Sequence, residues 1–303
     1  LGDVYKRQVS ALNDNSIQNI TISGNVVATG DNGNTDNGRV NSVDRTVAIN
    51  SQGRNVVIQG RNDQASLDLL SNSLKFTGSS AWNLVFKNLQ LATGNSKGAV
   101  DLSSTTGANT VTFENVKSQG SSLYGGGGNT DVIVKGETSS TVSDSYRSAN
   151  GQTQYVQRNV GSAGHSVLRR EANIHDAKSV TVADGASLTL NRSSQGDGIN
   201  LAGGSTVRVN DGASLTINMN TNNGTESARY HNAGIFMEHG GTVVTGKDSK
   251  LTLNTSIGQA ISLGMGRPAD GLTHLDRWGG YGTGNAFRRN GKSCLLYTSD
   301  AAD

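Results

Sequence analysis

A thirteen-residue phrase occurs three times, as Ser179–Asn191 (SVTVADGASLTLN), Thr206–Asn218 (TVRVNDGASLTIN) and Thr242–Asn254 (TVVTGKDSKLTLN). The first two copies begin 27 residues apart and the next two 36 apart. A strand-rich unit recurring at such a period is the mark of a solenoid, in which each unit buries its apolar side only by stacking on its neighbours. Each copy alternates apolar and polar residues, and each is followed by a further apolar segment at Gly198–Leu201, Gly234–Met237 and Gln259–Leu263. Period-two alternation puts Val180, Val182, Leu188, Leu190, Ile199 and Leu201 on one face of their strands. Val207, Val209, Leu215, Ile217, Ile235 and Met237 are their equivalents one coil later. Three strands per coil with apolar residues inward predict an all-β chain, a right-handed parallel β-helix.

Shorter segments of the same kind run upstream, at Gln18–Ile22, Arg45–Ile49, Asn55–Ile58, Leu67–Leu69, Leu74–Phe76, Asn83–Phe86, Thr110–Phe113 and Asp131–Val134. A rival reading treats the Asp-Gly pairs as type I′ hairpin turns, which need positive φ at both central residues. The third copy carries Lys247-Asp248 at that place, and lysine suits such a turn poorly, so the solenoid is preferred. Asn191, Asn218 and Asn254 close the three copies and are expected to stack at one corner as a structural asparagine ladder; tolerance of turn geometry would equally explain them. Val9–Ile17 reads as the remnant of a short capping helix, and Ser145–Lys178 breaks the pattern and reads as irregular coils with longer loops.

The two ends read differently. Residues 3–8 (DVYKRQ) and 294–303 (CLLYTSDAAD) back-translate to stretches that contain each other's reverse complement, as translated sequencing-library adapter would. Residues 1–8 and 294–303 are therefore set aside as non-native, and 9–293 is read as a single β-helix domain fragment. The one cysteine, Cys294, falls in the excluded stretch, so 9–293 has neither a disulfide framework nor a thiolate metal site.

Composition narrows the function classes. With 40 Gly, one Pro, five Phe and two Trp, the chain is too polar for a compact α/β enzyme, yet too rich in patterned Val, Leu and Ile for disorder. Lys and Arg number 26 against 24 Asp and Glu; a near-neutral balance without a basic run argues against a nucleic-acid partner. No stretch approaches the roughly 18 apolar residues of a membrane-spanning helix, so no membrane insertion by this segment is expected.

The opening SALNDNSIQNITISGNV with RTVAINSQGRNVVIQG resembles the start of the pectate lyase-like adhesive domains of large cell-wall-anchored proteins in lactobacilli, enterococci and streptococci. NIHDAKSVTVADGASLTLN, ARYHNAGIFMEHGG and the RPADG to DRWGGYG stretch resemble the same group. The resemblance covers nearly all of 9–293 and implies a pectate lyase-like β-helix in a Gram-positive surface adhesin. It further implies an extracellular, cell-wall location and adhesion to host or matrix glycans, mucus or glycoproteins. The remainder of a longer surface protein is expected as a further partner.

The competing class is a β-helix polysaccharide lyase or hydrolase acting on acidic polysaccharide. Lyases of that fold use Ca²⁺ on clustered carboxylates with an Arg or Lys base, and no such acidic cluster is present; Arg267 and Arg277 lie too far apart for the lyase pattern. Glycoside hydrolysis needs two carboxyls, and Ser194–Asn200 (SQGDGIN) offers Asp197 alone, which reads as structural. His165, His175, His231, His239 and His274 lack metal-ligand spacing, so no catalytic residue, metal ligand or cofactor is assigned. Tyr124–Asp131 (YGGGGNTD) resembles one Gly-rich Ca²⁺-binding repeat with Thr130 where Asp is required, and reads better as a sharp loop. The ligand-binding candidates are aromatic: Tyr230 and His231 beside the longer second coil, and Arg277, Trp278 and Tyr281 in RWGGYGTG. Such rings stack on pyranose faces, and they equally serve as plugs that anchor loops to the solenoid wall.

Overall fold

The computed structural model describes residues 2–28, 45–157, 171–220, 232–238, 240–255, 259–262 and 294–297. Its strands join 21 strong in one network, wound so that each pairs with its counterparts one coil away. Nearly every pairing is parallel, including Asn19–Ile22 on Asn55–Gly60 and Ser187–Arg192 on Ser214–Met219. The architecture is a parallel β-helix with three sheets. The three phrase copies stack in the register their sequences demand: Val180 on Val207 on Val243, Leu188 on Leu215 on Leu251, and Asn191 on Asn218 on Asn254.

The first sheet stacks Asn55–Gly60 on the start of Asn83–Thr93, then on Asn109–Gly120 and Thr130–Lys135. The second carries Ser66–Asp68, Glu137–Val142, Ser187–Arg192, Ser214–Met219 and Lys250–Thr255. The third runs through Arg45–Ile49, Asn72–Gly78, Val100–Thr105, Tyr124–Gly125, the first parts of Ala172–Val182 and Asp197–Val209, Ala233–Met237 and Gln259–Ser262, while residues 179–182 and 206–209 continue the first sheet onto Gly241–Thr245. Cys294–Tyr297, inside the stretch set aside at the C-terminus, lies parallel to Gly241–Thr245.

Apolar columns fill the interior. Val180, Leu188, Ile199, Val207, Leu215 and Ile235 are all sealed from solvent, each worth on the order of 1.5–3 kcal/mol of transfer free energy. Phe86 stacks on Phe113 one coil away, ring centres 5.6 Å apart, and Trp82 meets Phe76 edge-on at 5.0 Å. An open coil end would leave the interior wet, and a helix, Gly2–Leu12, lies over it. Tyr5, Val9 and Leu12 share one helix face and close over Ile20, Ile22, Ile58 and Leu67. Arg54 ties the cap down, donating to the carbonyls of Leu12, Asp14 and Ile17, where a cation also suits the helix C-terminus. The helix thus covers only the first part of Val9–Ile17 and begins inside residues 1–8.

The corners decide the hairpin question. Ala183–Ala186, Asn210–Ala213 and Gly246–Ser249 are closed by a hydrogen bond from the fourth residue to the first carbonyl. Positive φ occurs only at the third position, Gly185 (68°), Gly212 (65°) and Asp248 (54°). A type I′ turn would require it at Asp184, Asp211 and Lys247 too. The flanking strands accordingly run on in parallel, and Lys247 meets no strain. The same first-to-second-sheet corner is tighter still in the preceding coils, a single left-handed residue at Asn88, Asn115 and Gly136. Asn115 donates to the Asn88 side chain at 3.3 Å and accepts from the Glu137 amide at 2.9 Å.

Asn191, Asn218 and Asn254 sit within the second-sheet strands on the outward face, not at a corner. Asn218 donates to Asn191 at 2.9 Å and Asn254 to Asn218 at 2.8 Å. Ser145–Lys178 is more ordered than its composition suggests where it is described. Ser145–Arg147 and Thr153–Tyr155 form an antiparallel hairpin, and 172–178 belong to the third-sheet ladder. The hairpin folds back on earlier coils, Tyr146 donating to Asp68 at 2.7 Å.

Candidate functional site

The outward positions of the third sheet form a row along the solenoid axis. Lys75 lies beside Asp101, Asp101 beside Gly125, and Gly125 beside His175. The residues flanking them in sequence, Val100, Leu102, Tyr124 and Ile174, point into the core and are fully buried. Neighbouring strands stand about 4.8 Å apart, so the Asp101 and His175 backbones are about 10 Å apart with Gly125 between them. The Lys97 carbonyl packs over Gly125, and beside the row lies a cleft of about 120 Å³. The sheet contributes Asp101, Ser103, Gly125, Gly126 and His175; the preceding turns contribute Ser96, Lys97, Ser122 and Glu171.

Close packing requires these glycines. A Cβ on Gly125 would stand 2.5 Å from the Lys97 carbonyl oxygen, and one on Gly126 would stand 2.0 Å from the Tyr124 hydroxyl. The Gly-rich run thus serves as floor as well as turn, with only Gly128 of the four at positive φ.

Asp101 is 3% exposed. Its Oδ1 accepts from the Ser103 amide at 2.9 Å and the Ser103 hydroxyl at 2.6 Å. Glu171 stands opposite, its Oε1 3.2 Å from the Arg192 guanidinium. Arg192 is sealed from solvent and also donates to Asn173 Oδ1 and to the carbonyls of Gln195 and Asp197. A buried guanidinium so engaged fixes Glu171 in place rather than meeting a ligand.

Asp197 belongs to the same buried network. Its Oδ1 accepts from the Ala233 amide at 2.9 Å, and it lies within 3.4 Å of the Asn200 amide nitrogen. Asn200 in turn accepts from the Asp176 amide at 2.7 Å. Asp197 therefore pins consecutive coils together. Burial, reinforced by the nearby Glu238, pushes the Asp176 carboxyl up to about 6. Among the described residues no group of three or more side chains is placed to hold a metal ion, and no helix is long and apolar enough to cross a membrane.

Tyr230, His231, Arg277, Trp278 and Tyr281 lie outside the described residues. The cleft was not foreseen from sequence. Aligning the glycine run with the alternation of Val100–Leu102 would have placed Gly125 on the outward row and exposed the signal.

With that geometry in hand, residues 5–124 match the model of a family described as a pectate lyase-like adhesive domain. No curated protein matches the chain. Among solved structures, the SRRP of Lactobacillus reuteri 100-23 superposes with a TM-score of 0.64 at 16% identity, covering 85% of this chain and 70% of that one. The SRRP of L. reuteri 53608 gives a TM-score of 0.48 at 18% identity over 84% of this chain and 94% of that one.

Proposed function

We propose that this chain is part of a bacterial surface adhesin that holds host or matrix glycans, mucin-type chains included, without cleaving them. The adhesive-domain match over residues 5–124 supports the adhesin class. The observation that carries the reading is the cleft beside Gly125, small, lined by serines, charged side chains and His175, and set on the third-sheet ladder. Its donors and acceptors, three serines, Asp101, Lys97 and His175, suit sugar hydroxyls. One of its two carboxylates is bound to Arg192 and the other to Ser103. The proposed setting is outside the cell, on the wall, and neither a cofactor nor nucleic acid is invoked.

A β-helix polysaccharide lyase or hydrolase is the second reading, favoured by the meeting of Asp101, Glu171, Lys97 and His175 in one cleft. One experiment separates the two. The purified chain is incubated with mucin and with acidic and neutral polysaccharides, and retention and chain cleavage are both measured. Retention without new reducing ends or unsaturated uronates is the expected result. Turnover products that disappear on Asp101→Asn would establish the enzyme instead.

A further inference from the structure

The hairpin of Ser145–Arg147 and Thr153–Tyr155 carries Asn150, which alone among the described asparagines is followed by glycine; both residues are exposed at its tip. We infer that Asn150 is a modification site, where the backbone nitrogen of Gly151 displaces the side-chain amide and a neutral tip becomes anionic. The turn itself explains the pair. Ser148 donates to the Gln152 carbonyl at 2.8 Å and Gly151 to the Ser148 carbonyl at 3.0 Å, leaving Ala149, Asn150 and Gly151 as the loop. Three-residue loops of this kind end on a left-handed residue, and Gly151 has a φ of 85°. Glycine also leaves its own nitrogen unshielded, so the residue that suits the turn suits the attack.

The step needs no reagent but water. The Gly151 nitrogen gives its proton to hydroxide and bonds to Asn150 Cγ. The Cγ–Nδ2 bond then breaks, and ammonia leaves with a proton taken from water. Water opens the cyclic imide to aspartate or isoaspartate. Two features of the fold favour this course. The Gln152 amide donates to Asn150 Oδ1 at 3.1 Å, so an N–H faces the oxygen on which negative charge develops. The hairpin also lies outside the 21-stranded network, with three residue pairs of its own. So small a unit opens locally at little cost, which releases the Gly151 N–H from Ser148. The aspartate product is accommodated as well, since its carboxylate keeps the Gln152 donor. The Arg147 guanidinium, without an ion-pair partner among the described residues, lies 3.9 Å from where a Gly151 Cβ would stand.

The test holds the purified, folded chain in mildly alkaline buffer and follows each asparagine by peptide mapping and mass. Asn150 is expected to turn to acid about tenfold faster or more than Asn25, an exposed asparagine whose successor Val26 branches at Cβ. Gly151→Ala should slow the conversion about tenfold. Should that variant not fold, Asn150→Gln replaces it, and the anionic species that builds up in the wild type on ion exchange should be lost. Asn150→Asp should elute with that species from the start. An amide retained at 150 in the folded chain overturns the inference, and conversion in urea alone would show that the turn protects it. Equal rates at Asn150 and Asn25, or wild-type rates in a folded Gly151→Ala chain, overturn it too. Glycan retention is read separately, so none of these results decides the adhesin reading.

Discussion

Arg192 and Glu171 form an ion pair at 3.2 Å, 21 residues apart in sequence and closed off from solvent on both sides. Their burial links the polar floor of the cleft to the packing of the coil beneath it. Removing one member strands the other's charge in a medium that solvates it poorly. Arg192→Met is therefore expected to cost about 3–5 kcal/mol, and adding Glu171→Met should recover much of that loss. Urea denaturation of the two variants and the wild type measures both values. Equal stability for the single and double variants would show that the pair is not coupled.

Asp176 sets a pH dependence of stability. Its carboxyl titrates near 6 in the folded chain against 3.8 for the ordinary side chain, because burial and then Glu238 disfavour the anion. Between those values the folded state holds the extra proton. This group's contribution is thus complete below about pH 4 and is lost as pH rises through about 6. Asp176→Asn is uncharged at every pH and tolerates the left-handed backbone there, where φ is 49°. Its melting temperature should exceed that of the wild type above pH 6 and match it below pH 4. A constant difference across that range would contradict the assignment.

Two corner glycines separate backbone strain from crowding. Gly185, at φ 68°, has no atom within 4 Å of where a Cβ would lie, so Gly185→Ala should cost only the left-handed conformation, about 1–2 kcal/mol. Gly136, at φ 60°, would set its Cβ 2.2 Å from Asn115 Oδ1, the atom that accepts from the Glu137 amide. Gly136→Ala should therefore be the more damaging of the two, by about 1 kcal/mol or more. Denaturation midpoints compare them directly.

The stacking was readable because side-chain alternation and repeat length agree. Val180, Val207 and Val243 occupy equivalent places in the phrase and prove to be direct neighbours. Strand ends were harder to read. Asn83–Thr93 turns between sheets at Asn88, a one-residue corner with no glycine or proline to announce it. The Tyr146 hairpin depends on Asp68, 78 residues away, a pairing that no local pattern encodes. The cleft was hidden for a related reason. Asp101, Gly125 and His175 meet only once the coils are in register, and a glycine on an outward row looks in sequence like any loop glycine.

Gly125 interrupts one column of a lattice whose other members carry side chains at the same height. Moving that interruption by one coil would carry the recess about 4.8 Å along the molecule while leaving every core column as it is. Such a shift would need the outward residue and the turn packed over it to change together, since a Cβ on Gly125 would stand 2.5 Å from the Lys97 carbonyl. The framework inside has no need to change.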